Sequence, residues 1–404
     1  MVSGKSAERM SMNRPDVVEA LPRMVVDPPS VPASCRGRLT ERARWHWRPA
    51  DGGDPAAYAE EFLADHGLHL ADLSRPARRH HPHDICGAAL YLSAAAGAVL
   101  AGGAPGAPNP ADLPEVAVVV YGHTDTTTPG HPGPPPPFRP DAWTESWSPR
   151  QHADAVTAIR HAIGRGEVYQ VNLVGHARAT YTGDPLPALA RLGRLPGARY
   201  GGVLTGPGWA IGCASPETLI EVRDGTLTTR PIKGTRPATT AGRADLLASA
   251  KERAEHIMIV DLERNDLARV ARTGSVRVDD LFAVRRWCDL WQAESTIRAD
   301  VADGLGLADL LRAVCPGGSV TGAPKLAALD HIAALEPVGR GAGMGALGWV
   351  GPGHLDLGLT IRTAAVDGNA VHVWAGGGIT WDSDPAAEVA EAAAKTTPVR
   401  AALT

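Results

Sequence analysis

Cysteine is scarce and scattered. The five residues (Cys35, Cys86, Cys213, Cys288 and Cys315) form no C-x-x-C pair and are odd in number, which excludes the spacing of a zinc site and of a disulfide framework. A reducing, cytoplasmic setting is the expectation. An excess of charge of one sign is also lacking: 40 Lys and Arg against 44 Asp and Glu give a formal net charge of -4, so no general grip on nucleic acid or an anionic membrane is expected. Long apolar runs are missing as well. The opening "MVSGKSAERMSMNRPD" has no apolar core of signal-peptide length. Residues 87–104, "GAALYLSAAAGAVLAGGA", are mostly Ala and Gly without aromatic or basic anchors, so they read as a buried helix or strand pair and not as a membrane span. A protein acting on a small molecule fits these exclusions.

A chain of 404 residues holds one large domain or two. Residues 1–35 are polar, proline-bearing and aperiodic, the pattern of a mobile N-terminus. "EVAVVVY", residues 115–121, is a β-branched run that predicts a buried strand. The segment 128–140, "TPGHPGPPPPFRP", cannot pair in a central strand and favours an extended connector. It separates an N-terminal portion, 36–140, from a larger region, 141–404.

Beyond the connector, "SPRQHADAVTAIRHAIGRGE" has a Ser-Pro start, Ala155, Ile159 and Ile163 at helical spacing, and a Gly stop. "VYQVNLVGHARATY" alternates like a strand. Further strands ("GGVLTG", "TLIEV", "LTTRPIKG", "VHVWAGGGI") and helices ("DLLASAKERAEHIMIVDLERNDLARVA", "APKLAALDHIAALE", "AAEVAEAAAK") follow without the regular beat of a doubly wound sheet. The expectation is a mixed or antiparallel α+β core. No internal repeat is visible.

Three motif matches are set aside. "GMGALG", residues 343–348, has the letters of a dinucleotide fingerprint but follows no strand and precedes a hairpin-like segment. In "CPGGSVTGAPK", Gly317 and Gly322 are five apart as in a phosphate loop, yet Lys325 does not directly follow the second glycine; a helix starting at Pro324 is expected instead. "RRHHPHD", with His80, His81, His83 and Asp84, is interrupted by Pro82 and reads as a solvated loop and not as a metal site.

Two features hold chemistry. On a helix, Glu255 shares a stripe with Met258, Ile259 and Leu262, where a carboxylate is costly unless paired or metal-bound. Glu388 and Glu391 are neighbours at i and i+3 of an Ala-rich helix. Converging carboxylates suit a hard cation such as Mg²⁺; the same spacing also describes a solvated face. Lys233, in "TRPIKGTRP", is open to two readings as well: an amine activated by burial and cationic neighbours, or an edge-strand lysine that prevents aggregation.

The blocks "GEVYQVNL", "SPETLIEV", "RPIKGTRP", "AEHIMIVDLERNDLARV", "PGGSVTGAPKLAALDHIAALEP", "GALGWVG", "LTIRTA" and "AGGGITWDSDPAAEVAEAAAK" occur in that order. Together they resemble the chorismate-utilising enzymes, which include the large subunits of anthranilate synthase and aminodeoxychorismate synthase and the isochorismate and salicylate synthases. The resemblance covers about residues 145–398. It implies a two-subdomain α+β fold like anthranilate synthase component I, with large facing antiparallel sheets, outer helices and a cleft between. It further implies chorismate as substrate and Mg²⁺ held by Glu255, Glu388 and Glu391.

Within the family, "PIKGT" looks like the aminodeoxychorismate synthase version of its strand, where anthranilate-forming relatives usually carry Ala at the position of Lys233. The resemblance then implies that Lys233 attacks ring carbon 2 as the 4-hydroxyl leaves, and that ammonia enters at carbon 4 and expels the lysine. The product would be 4-amino-4-deoxychorismate, formed without pyruvate elimination and serving p-aminobenzoate and folate or a derived natural product. Glu217 would supply the leaving group's proton. Gly234 and Thr235 would hold the ring carboxylate through backbone amides, Arg362 the enolpyruvyl carboxylate, and Gly376, Gly377 and Gly378 would add backbone donors. Trp349 stands where relatives have a tyrosine. Gln292 stands where relatives with amide-nitrogen chemistry usually have a histidine, and Gln cannot titrate. Ammonia would come from a separate glutamine amidotransferase, since the chain has no Cys-His-Glu glutaminase block. Anthranilate or isochorismate chemistry, and a non-catalytic chorismate-binding subunit, are the alternatives.

Overall fold

The computed structural model describes residues 38–76, 85–124 and 135–404. The N-terminal segment 1–35, the "RRHHPHD" histidines and most of the proline-rich connector lie outside the described residues.

Two antiparallel sheets form the body. The ten-stranded sheet runs, in spatial order, Arg38–Trp47, Val116–Thr124, Ile85–Leu92, Ala346–Gly351, His354–Leu359, Thr218–Arg223, Thr226–Arg230, Leu290–Asp300 and Ile232–Pro237, with Arg277–Trp287 also paired to Leu290–Asp300. The eight-stranded sheet runs Gly322–Ala323, Gln170–Thr182, Ala370–Ile379, Thr363–Val366, Trp209–Ser215 and Tyr200–Gly206, with Arg139–Pro140 and Thr144–Glu145 on the edge of Gln170–Thr182. Strands from both sides of the connector therefore share the larger sheet, Ile85–Leu92 lying directly against Ala346–Gly351.

One core joins the two sheets. Val118, Val120, Ile220, Leu347 and Leu357 of the first pack in the same apolar cluster as Val174, Ile211 and Trp374 of the second. The other face of the smaller sheet buries Ala177, Val203 and Val371 against Leu189 of the helix Leu186–Leu192 and Leu403 of the helix Pro385–Leu403. Each strand contributes one face to each layer because successive side chains alternate, and the facing-sheet architecture with outer helices follows.

Most local expectations have direct counterparts. The run at 87–104 is a buried strand, Ile85–Leu92, then the helix Ala94–Leu100. The "GMGALG" segment leads into an antiparallel hairpin pairing Ala346 with Leu359, and Pro324 caps the helix Lys325–Leu335. Two elements divide where single ones were expected. "LTTRPIKG" breaks at Pro231 into two strands that both pair with Leu290–Asp300, since proline cannot donate to the ladder. The long helix splits at Ser249, whose side chain accepts from the Glu252 N–H and so starts Ala250–Ala268 as a separate helix after Thr240–Ala248. Its buried stripe is His256, Ile259, Val260, Glu263, Asp266 and Leu267, with Met258 and Leu262 only half-buried; the face is rotated from the one expected because three polar residues find partners inside. Among the described residues no helix is long and apolar enough to cross a membrane.

A buried ion pair ties the strand Gln170–Thr182 of the smaller sheet to the loop after the helix Leu307–Val314. Arg340 bonds Glu336 at 2.6 Å and donates to the carbonyls of Val320 (2.6 Å) and Asn172 (2.7 Å), while Glu336 accepts from the Val174 N–H at 2.9 Å. The opposite charges and hydrogen bonds offset part of the cost of burying the pair, and burial still raises the Glu336 carboxyl. The pair fixes Asn172 and Val320, which both reach the cleft described next.

Candidate active site

Lys233 owes its direction to a glycine. In the strand Ile232–Pro237, Lys233 pairs with Ala293 and Thr235 with Gln292, leaving Gly234 unmatched as a bulge at φ +71°. That conformation is strained for any residue with a Cβ, and a bulge re-aims its flanking side chains. Lys233 is thereby turned into a cleft that it shares with Glu217, Glu255, Arg362, Glu388 and Glu391, a concave site with convergent polar groups. Only 9% of Lys233 is exposed. Its Nζ lies 3.2 Å from Glu255 Oε1 and donates to the Ser319 carbonyl at 3.3 Å.

The opposite wall is the glycine run at the end of Ala370–Ile379. A Cβ on Gly378 would stand 2.8 Å from Glu255 Oε1 and 2.9 Å from Lys233 Nζ, and one on Gly377 would stand 3.0 Å from Glu388 Oε2. These glycines make room for the charged groups and leave backbone facing the cleft.

Glu217 is 2% exposed and follows the strand Trp209–Ser215. Its Oε1 accepts from the Ile232 N–H at 3.1 Å, and burial pushes its carboxyl above the ordinary carboxylate range against the hydrogen bond from Ser319 and the nearby charges of Lys233 and Arg362. A carboxyl in that environment holds a proton longer and can give it away. Arg362 sits at φ +54°, an uncommon backbone for a non-glycine residue. Its guanidinium lies 4.8 Å over the Trp287 ring, Nε has no partner, and burial lowers its pKa to about 10. Still charged at neutrality, it presents a free fork toward the cleft.

Glu388 and Glu391 come from the first turns of the helix Pro385–Leu403. Glu391 pairs with Lys395 Nζ at 2.6 Å, and that charge lowers its pKa. Glu388 is raised by burial and by the charge of Glu391, with the Ser383 hydroxyl bonded to it. Among the described residues no three of His, Cys, Asp and Glu close on a common point as a metal site would require. The donor chemistry nonetheless suits a hard divalent cation, because Glu388, Glu391 and Glu255 line one cleft and a cation beside Glu388 would relieve a buried negative charge.

The family profile described as "chorismate binding enzyme" matches residues 70–401. The chain belongs to this family. Among the chorismate-binding enzymes, aminodeoxychorismate synthase component 1 of Klebsiella aerogenes is 41% identical over 257 residues, 62% of this chain and 57% of that protein. The Escherichia coli K12 protein of the same name is 40% identical over 62% of this chain and 56% of its own length. Anthranilate synthase component 1 of Streptomyces coelicolor is 40% identical over 62% of this chain and 50% of its own length. The matches thus span half to just under three-fifths of the length of these curated relatives. Among solved structures, anthranilate synthase component I from Streptococcus pneumoniae superposes with a TM-score of 0.73 at 23% identity, covering 97% of this chain and 96% of the other, which establishes a shared fold.

Of the residues singled out from the sequence, this chorismate-binding fold brings Lys233, Glu217, Gly234, Thr235, Glu255, Arg362, Gly376, Gly377, Gly378, Glu388, Glu391 and Gln292 to one cleft. Trp349 is not brought there. It is fully buried in the larger sheet, stacked on Tyr121 at 5.9 Å and lodged where a side chain on Gly87 would collide with it. The expected contact of Trp349 with substrate is therefore corrected to a packing role. Ser319, Asn172, Lys251, Glu252 and Lys395 line the cleft without having been anticipated. Lys395 had a usable signal, standing four residues after Glu391.

A second acidic layer lies behind Glu217. Glu263 is buried, takes a 2.7 Å bond from the Thr229 hydroxyl, and is pushed well above the usual carboxylate pKa by burial and then by Glu217. Asp266 beside it is paired with Lys325 at 2.7 Å. The folded state keeps the Glu263 proton while the unfolded chain releases it above the ordinary value of 4.5, so this group subtracts stability as pH rises from there. Glu263→Gln is expected to melt higher than the parent at pH 8 and alike at pH 4 in paired thermal scans. Equal melting at both pH values would show that Glu263 ionises freely in the fold.

Proposed function

We propose that this chain is the chorismate-aminating component of an aminodeoxychorismate synthase. The observation that carries this reading is the buried Lys233 amine, held between Glu255 and the Ser319 carbonyl beside a proton-retaining Glu217. The identity of about 40% to aminodeoxychorismate synthase component 1 supports it.

Chorismate enters with its enolpyruvyl carboxylate on Arg362 and its ring carboxylate toward the Gly234 and Thr235 backbone. The Lys233 amine, after losing a proton to water in the cleft, bonds to ring carbon 2; both conjugated ring double bonds shift and the 4-hydroxyl departs as water with a proton from Glu217. Ammonia then bonds to carbon 4 and gives up a proton, both double bonds return to their places and the lysine leaves as its amine, taking up a proton. Hydroxide is a poor leaving group, so proton delivery lowers the first barrier, and the covalent intermediate divides one hard displacement into two. Mg²⁺, held by Glu255, Glu388 and Glu391, would supply positive charge for the ring carboxylate. A separate glutamine amidotransferase component would supply the ammonia. A reducing cytoplasmic setting accompanies this reading, consistent with the free thiols of Cys213, Cys288 and Cys315.

The test is product analysis by mass spectrometry after incubation with chorismate, Mg²⁺ and an ammonium salt, with a coupled pyruvate assay. An aminated product that keeps its enolpyruvyl group, without pyruvate, is expected. Anthranilate with equimolar pyruvate, isochorismate, or unchanged chorismate would sink the reading.

A further inference from the structure

The polar groups of the cleft divide by sign once their partners are counted. Glu255 is on Lys233, Glu391 on Lys395, Glu252 on Arg236 at 2.9 Å, and the carbonyls of Ser319 and Gly376 accept from Lys233 and Lys395. Two buried donors are left without partners, Asn172 Nδ2 and Arg362 Nε. Both suit an anionic substrate. Gln292, which lines the cleft and is only 4% exposed, also keeps a buried acceptor without a partner, Oε1. The carboxylates of an anionic substrate have no hydrogen to offer it, so its donor must be the substrate's hydroxyl or the incoming ammonia, which the experiment below separates, and an unmade bond on a buried amide is costly.

The Gln292 side chain is placed by the same bulge that turns Lys233 inward. Gln292 is paired with Thr235, one step along from the Ala293–Lys233 pair, on a strand anchored on its other side by Arg285 opposite Gln292. Its neighbour Glu294 is occupied by Arg199 at 3.2 Å and Arg285 at 3.5 Å. Gln292 thus offers a fixed, neutral acceptor a short distance along the strand from the nucleophile.

Resting on the amination reading above, we propose that Gln292 Oε1 is the hydrogen-bond acceptor that holds the incoming ammonia. Ammonia carries three N–H donors and one lone pair that must face the ring, so its subsite needs acceptors and no competing acid. A neutral amide meets both needs: it takes an N–H and cannot protonate the lone pair. A carboxylate there would favour ammonium, which has no lone pair to attack with.

The experiment compares Gln292→Leu with the parent chain, varying ammonium at saturating chorismate and chorismate at saturating ammonium, and following chorismate binding alone by quenching of tryptophan fluorescence. The expected result is a KM for ammonia raised about 10-fold, the loss of one ordinary hydrogen bond, with chorismate binding unchanged. A variant with parental KM for ammonia overturns the assignment, as does one whose defect lies wholly in chorismate binding. Where Gln292→Leu does not fold, Gln292→Asn, which withdraws the amide by one methylene, is read by the same criteria. A parent chain that forms no aminated product overturns the amination reading and this inference together; a parent that aminates beside an unaffected variant overturns the inference alone.

Discussion

Lys233→Ala is expected to lower amination by about 10³-fold or more, as loss of a covalent nucleophile does elsewhere. The fold should survive, because the side chain projects into the cleft and its strand neighbours Ile232 and Ala293 are untouched. Loss of the amine also leaves Glu255 without its 3.2 Å partner, so a purely electrostatic role must be separated from a nucleophilic one. Lys233→Arg does this: it keeps the charge beside Glu255, yet a guanidinium stays protonated and cannot attack carbon. Equal loss in both variants identifies the amine as nucleophile. Recovery in Lys233→Arg, measured as initial rate of aminated product, would reduce Lys233 to an ion-pair partner.

Glu217→Gln is expected to cost about 10² to 10⁴-fold in kcat, the usual range for a general acid, with little change in the KM for chorismate. The amide still accepts the Ile232 N–H that fixes the side chain, so geometry is kept and the proton alone is removed. The pH dependence has a definite sign. Burial raises the Glu217 carboxyl, and the acid works only while protonated, so the parent's kcat should fall as pH rises through that raised pKa. In Glu217→Gln that alkaline limb should be gone. A variant with the parental profile would assign the proton donor to another group.

Much of this site was legible because its residues are chemically unusual where they stand. A lysine between Ile232 and Gly234, carboxylates at Glu388 and Glu391 on an alanine-rich helix, and an arginine within "LTIRTA" each ask for a partner, and ordered blocks say which partners meet. What stayed hidden depends on backbone or on distant chain. Ser319 contributes its carbonyl to Lys233, and every residue has a carbonyl, so that contact carries no signal. Gln292 was visible as a departure, but its unpaired oxygen appears only once Thr235 and the cleft wall are in place. Trp349 was misplaced because its ring is received by Gly87, far upstream, and no local pattern links the two.

The larger sheet was legible only as separate strands for a related reason. Helix limits followed from caps such as Ser148, which act within a few residues, whereas the Ser249 cap lies inside a run that reads as one helix. The neighbour of Ile85–Leu92 is set by tertiary packing. The rotated stripe on Ala250–Ala268 has the same origin: Glu263 and Asp266 turn inward because Thr229 and Lys325 wait for them, an arrangement that apolar periodicity cannot register.

The adjacency of Ile85–Leu92 and Ala346–Gly351 also has a meaning in time. As the chain leaves the ribosome, the first three strands can zip together early, through the pairings of Val116–Thr124 with Arg38–Trp47 and with Ile85–Leu92, but one edge of that ribbon must wait about 250 residues for its neighbour. At an elongation rate of roughly 5–20 residues per second, this is a wait on the order of tens of seconds. For that interval an apolar, uncharged edge is open to any passing strand, and the cleft cannot exist, because Arg362 and the three glycines have not yet been made.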